Sequence, residues 1–184
     1  MAGGIEFNPG KFNELVMLVV ELSSDDPRMS RVKLNKLLYR ADSEAFRVLG
    51  QSISGATYVH GEFGPMAAEL PFAEERLAER GYLSYSIDES GPFPRKVPEV
   101  PAGEGADRRQ FSDKELEIVS RAVRELADLG GKAASDWAHE EWAGWRLTGD
   151  NEVIPYDTVI IASEPAPAKT LDRLRERVLT NHWK

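Results

Sequence analysis

The stretch VKLNKLLYRADSEAFRVLG, Val32 to Gly50, decides the fold. Leu34, Leu37, Leu38, Ala41, Ala45, Val48 and Leu49 recur at steps of three and four, the period of one helix face. Ser30 is placed to cap the start of this helix and Gly50 to close its end. Lys33, Lys36, Arg40 and Arg47 form a basic stripe beside the apolar face, interrupted by Glu44. Asn35, Tyr39, Asp42 and Phe46 lie on the other flank. The pattern predicts a core helix with a solvated, charged edge.

Upstream, Asn8-Pro9 is a helix start, with Asn8 as cap and Pro9 in the first turn. Phe12, Leu15, Val16, Val19 and Leu22 give that helix an apolar face, widened by Met17, Leu18 and Val20. Downstream, Ala56 to His60 is a short strand candidate, and Gly61, Gly64 and Pro65 punctuate a tight connection. Pro65 is read as opening a helix through Met66, Leu70, Ala73 and Leu77, with a kink or fresh start at Pro71 and closure at Gly81. Tyr82 to Ile87 alternates as a strand does. Residues 88–106 form a Pro/Gly-rich loop, within which Arg95 to Val100 is a strand candidate pairing back onto Tyr82 to Ile87.

Ser112 with Glu115 is a capping box for a helix burying Leu116, Val119, Ala122, Val123, Leu126 and Leu129, ended by Gly130-Gly131. A further helix is expected over Lys132 to Trp142, an extended run over Val153 to Ala162, and a last helix over Ala168 to Thr180. The sum is a mainly helical α+β domain with a small antiparallel sheet or hairpin, and one domain over residues 1–184.

The 184 residues carry 41% hydrophobic and 29% charged residues, an ordinary globular balance. No apolar run approaches the length of a membrane span, and no basic-then-apolar segment opens the chain. With no cysteine, disulfides, thiolate metal sites and cysteine nucleophiles are excluded, and a cytoplasmic setting is expected. The formal net charge of −8 disfavours general binding to phosphate backbones.

Catalytic sets are weak. His139-Glu140-Glu141-Trp142-Ala143 begins like a zinc-protease helix but lacks the second histidine one turn on. Ser135 and His139 are helical neighbours rather than a nucleophile and base, and Ser135 is read as a local helix cap. His60, at a strand end, is read as solvated, and His182 as frayed. Gly61 to Gly64 lacks the lysine and spacing of a phosphate loop. No metal and no cofactor are expected. Trp137, Trp142 and Trp145 cluster in a short stretch, and two readings stay open: an exposed or groove-lining aromatic that contacts protein, or a cover over the core.

The run Lys33-Leu34-Asn35-Lys36-Leu37-Leu38-Tyr39, then Gly64-Pro65, then Ser135, His139-Glu140 and Trp145, resembles the SocA-like antitoxin family, or Panacea domain, over roughly residues 12–156. The resemblance implies a bacterial or phage-associated, non-enzymatic antitoxin. Such a protein binds and neutralises a partner toxin, or delivers it to a protease as an adaptor. The partners implied are thus a cognate toxin and, for an adaptor, a protease, with no membrane. Lys33, Lys36, Tyr39, Arg40 and Trp142 are the expected partner contacts. Gly64, Pro65, Ser135, His139, Glu140 and Trp145 are the expected motif site, structural or binding, with Trp145 packing over a junction and giving its indole N–H to an acceptor. Two competing classes remain: a winged-helix-like nucleic-acid regulator using the basic stripe, and a small hydrolase.

Overall fold

The computed structural model describes residues 5–127, 129–130, 132–136 and 142–160. Helix α1 spans Pro9–Leu22, α2 Arg31–Leu49, α3 Leu70–Glu79, α4 Asp113–Leu126 and α5 Ala143–Leu147. Strands β1 (Tyr58–Gly61) and β2 (Gly64–Ala67) form one antiparallel pair, and β3 (Ser84–Asp88) and β4 (Arg95–Glu99) another. The fold is mainly helical α+β with two small antiparallel sheets. Among the described residues, no helix is long and apolar enough to cross a membrane. The last helix expected over Ala168 to Thr180 lies outside the described residues, as does His182.

Helix α2 is the axis of the fold. It packs against α1, α4, β2 and β4, and against a 3-10 turn at Tyr156–Ile160. Both ends are set locally: Ser30 accepts from the Lys33 amide, and Gly50 takes a left-handed conformation that avoids a Cβ clash. Leu34, Leu37, Leu38, Ala41 and Ala45 are fully buried. Val48 is 52% exposed, so the apolar face stops a turn earlier than the periodicity suggests. Enclosure on several sides also buries Asn35, Tyr39 and Asp42 from the other flank, and Glu44 from within the basic stripe.

Helix α1 begins as its sequence dictates, with Asn8 Oδ1 accepting from the Lys11 amide and Pro9 in the first turn. All residues from Leu15 to Val20 are buried, because α2, α3 and α4 surround it. The capping box at Ser112 and Glu115 is formed. Helix α4 ends at Leu126, earlier than Gly130-Gly131 suggests, and Ile118 joins its buried face while Leu116 is only half-buried.

Three local expectations are corrected. Gly64-Pro65 opens a strand rather than a helix: β2 pairs with β1 in the register Tyr58↔Ala67 to Gly61↔Gly64, leaving Glu62-Phe63 as the connection. Gly64 has φ +112°, which an L side chain rarely adopts, so the tight hairpin depends on glycine there. Met66 lies in β2 and outside helix α3, which makes the fresh start expected at Pro71, beginning at Leu70 with Pro71 in its first turn. The run after Val153 is not extended: Val153 bridges to Val59, and the chain then turns into the 3-10 segment. That bridge, with the Ile154 amide donating to Tyr58 O, covers the free edge of β1. The pairing of β4 back onto β3 is as the sequence indicates.

Charged side chains link elements distant in sequence. Glu74 on α3 takes a bidentate contact from Arg31 on α2 and a hydrogen bond from the Tyr85 hydroxyl on β3. Glu44 accepts from Arg40 at 2.9 Å, Arg47 at 2.6 Å and Arg121 of α4 at 2.9 Å. Burial alone would raise the Glu44 carboxyl, but the hydrogen bonds from Arg47 and Arg40 prevail and hold it at about 2.

Two outcomes follow. Leu38→Ala, a truncation at the fully buried centre of α2, should lower unfolding free energy by about 2–5 kcal/mol in denaturant titrations. For Glu44, the folded pKa lies below the unfolded one, so the unfolded state binds more protons in acid. Its contribution should be present above about pH 4.5 and fade as pH falls toward about 2. The melting-temperature gap between wild type and Glu44→Gln should therefore close across that window.

Candidate functional site

Lys33 and Lys36 stand one helical turn apart on α2, and the structure gives them opposite surroundings. Both are buried, at 0% and 1% exposure, so the basic surface stripe read from the sequence is corrected. Lys33 Nζ donates to Asp26 Oδ2 at 2.5 Å and to the carbonyls of Ala127 and Leu129 at 2.9 and 3.0 Å. These carbonyls follow the end of α4, where helical acceptors lose their partners and a cation is favoured. Lys33 therefore fastens the chain beyond α4 to α2 and to the turn before it.

Lys36 has no hydrogen-bond or ion-pair partner among the described residues. Burial pushes its amine down to about 8 from the ordinary lysine value of 10.5. The side chain lines a pocket of about 740 Å³ between the start of α2, the β1–β2 hairpin, β4 and the 132–136 segment. Val32, Phe63, Pro65, Met66 and Pro94 supply apolar wall. Asn35 is already committed there, donating to Arg31 O and accepting from the Ala67 amide.

On the far side of α2, buried Asp42 accepts from the Ser54 amide at 2.8 Å, the Ser54 hydroxyl at 2.5 Å and the Tyr58 hydroxyl at 2.8 Å. Burial raises its carboxyl, and the three hydrogen bonds pull against that rise. Tyr39 meets Tyr58 edge-on at 5.1 Å and Trp142 at 4.8 Å between ring centroids. Trp142 is only 9% exposed, so it and Tyr39 belong to the core rather than to a surface aromatic patch. Arg40 is half-buried and tied to Glu44 and Glu125.

Of the motif residues, Gly64, Pro65, Ser135 and Trp145 meet at the hairpin. The Trp145 indole donates to Gly61 O at 3.1 Å. The Ser135 hydroxyl donates to Phe63 O at 3.1 Å, inside a helical segment at 132–136, so it is a long-range tie and not a local cap. Gly64 and Pro65 are in the strand so held. The histidine found at this junction is His60, stacked on Trp145 at 4.2 Å with Nδ1 3.2 Å from the Thr148 hydroxyl. It is enclosed, contrary to its reading as solvated. His139, Glu140, Glu141 and Trp137 lie outside the described residues. Among the described residues, no group of three or more His, Asp or Glu side chains is arranged to hold a metal.

Asp42 and His60 are the residues that sequence reasoning passed over. Asp42 stands among Arg40, Ser43 and Glu44, so nothing local marks it, and nothing local distinguishes His60.

The described residues thus form a helical α+β domain built round a lysine-bearing helix, with a glycine hairpin tied down by serine and tryptophan. Residues 34–146, more than half the chain, match the family described as antitoxin SocA-like, Panacea domain, and the chain belongs to that family. Neither a curated protein nor a solved structure matches it.

The two lysines should separate on mutation. Lys33→Met strands the Asp26 carboxylate and two carbonyls, and should cost about 3–5 kcal/mol in chemical unfolding. Lys36→Met removes an unpaired buried charge, and should melt at or above the wild-type temperature. Between about pH 8 and 10.5 the unfolded state holds the Lys36 proton more often than the folded one. Wild type should therefore gain stability relative to Lys36→Met as pH rises through that window.

Proposed function

We propose that this protein is an antitoxin that binds and neutralises a cognate toxin in the cytoplasm, with no turnover of its own. Membership of the SocA-like family over residues 34–146 carries the reading. The reading takes residues 1–184 as one domain. Exposed Val32, Phe63 and Met66 around the Lys36 pocket supply an apolar surface suited to protein contact. Of the residues proposed for partner contact, Lys36 and Arg40 are placed at this pocket and at the α2–α4 surface. Lys33, Tyr39 and Trp142 then act from behind by holding the scaffold. Gly64, Pro65, Ser135 and Trp145, with His139 and Glu140, shape the same face.

The nucleic-acid alternative has lost its main support. It rested on Lys33 and Lys36, which are buried, while Arg40, Arg47 and Arg121 are neutralised by Glu44 and Glu125.

The test is co-expression with the product of the neighbouring gene. Growth arrest by that product should be relieved, and the two chains should co-elute as a stable complex. Pulse-chase then separates two modes of neutralisation: toxin half-life stays unchanged under sequestration and shortens under delivery to a protease. Growth arrest without rescue or complex formation overturns the reading. His139→Ala should weaken stability or toxin affinity by about 1–3 kcal/mol.

A further inference from the structure

Cations near the Lys36 pocket are mostly answered. Lys33 has Asp26, Arg31 has Glu74, Arg95 has Asp88 and Pro27 O, and Lys132 has Asp136 at 2.7 Å. Lys96 is unanswered but exposed to water. Lys36 alone combines an ammonium, near-complete burial and a pocket wall, with no acceptor among the described residues. The pocket it lines has Val32, Phe63, Pro65, Met66 and Pro94 as apolar wall, with Ser30, Ser135 and Asp136 among its polar lining, Asp136 being held by Lys132.

We propose that this pocket receives a peptide segment of the partner protein whose carboxylate side chain pairs with Lys36 while flanking apolar side chains cover Val32, Phe63 and Met66. It rests on the toxin-binding reading for which chain supplies the segment. Three observations select that occupant. Of the cations lining the pocket, Arg31, Arg95 and Lys132 already hold carboxylates and Lys96 is solvated, so Lys36 is the buried one left for a single added carboxylate, whereas phosphate sites usually gather several free donors. The apolar rim is exposed, so a small acid bound at Lys36 would leave it wet, whereas a chain passing over the mouth covers it. The pocket's 740 Å³ accommodates more than one side chain. Pairing also answers a charge without a partner among the described residues, so a donor is held in advance that binding satisfies. The depressed amine is consistent with this: a bound carboxylate should draw it back up.

The probes are the blocked peptide Ac-Leu-Glu-Leu-NH2, its Gln counterpart, and 4-phenylbutyrate as a small carboxylate. Each is titrated into the full-length protein while amide NMR shifts of Asn35, Lys36, Phe63 and Met66 are followed. The Glu peptide should perturb these amides and saturate, and the Gln peptide should bind at least about tenfold more weakly. Lys36→Met, checked by its melting temperature, should lose the Glu preference. Phe63→Ala, a surface change, should weaken both peptides together. Equal affinity for the Glu and Gln peptides, no binding of either, or a Glu preference that survives in Lys36→Met overturns the proposal. Tighter binding of 4-phenylbutyrate than of the Glu peptide overturns it in favour of a small-molecule site. With the purified toxin, Lys36→Met should bind at least about tenfold more weakly than wild type. Undiminished toxin affinity in Lys36→Met sinks this inference and leaves the antitoxin reading standing. Failure of the wild type to bind toxin sinks the antitoxin reading, while the peptide titration still reports on the pocket.

Discussion

The Lys33 ammonium, closed in by the Asp26 carboxylate and the Ala127 and Leu129 carbonyls, is the constraint on which the rest of the molecule depends. A buried lysine is costly to desolvate, and three oxygens are about what its three N–H groups require. They come from a turn seven residues upstream and from a segment beyond α4, more than ninety residues downstream. Satisfying this one charge fixes where the chain leaves α4. The 132–136 segment follows directly, and with it Ser135, whose hydroxyl reaches the hairpin carbonyl of Phe63.

The central helix thus works as a two-sided clamp. On one side Lys33 holds α4; on the other Asp42 holds Ser54 and Tyr58 and so places β1. Besides Ser135 at Phe63 O, the hairpin is fixed from three further directions. Asp42 acts through Tyr58, Asn35 through the Ala67 amide, and Trp145 through Gly61 O. Such cross-ties rigidify the face that carries Phe63 and Met66. A rigid face loses little conformational entropy on association, which is what a binding protein with preformed geometry needs. Lys36 is the exception inside this clamp, because the described residues close round it without supplying an acceptor.

Surface electrostatics tell the same story at lower stakes. The arginines of α2 that resemble a basic stripe are drawn into Glu44 and Glu125, so α2 and α4 are joined where a phosphate-binding face might have been. Net charge of −8 and this internal neutralisation act together.

Much was legible in the chain alone, because it is written in short-range rules. Capping by Asn8, Ser30 and Ser112, closure at Gly50 and Gly81, and the buried faces of α1, α2 and α4 need only residues within one or two turns. The β3–β4 pairing is similarly local, and the resemblance carried by KLNKLLY and Gly64-Pro65 leads to the correct family. Tertiary structure decided what no local rule contains. Helical periodicity places Lys33, Lys36, Arg40 and Arg47 on one flank, but whether a lysine is solvated, paired or isolated depends on acceptors far away in sequence. Gly64-Pro65 reads as a helix start, and only the hydrogen bonds that β1 offers make it a strand. His60 becomes enclosed only because Trp145, distant in the chain, stacks on it. The sequence by itself determined the helices, their ends and their apolar faces, since those free energies arise between neighbours. The environment of each charge, and hence the candidate site, was settled by long-range packing, which sets desolvation and partner geometry together.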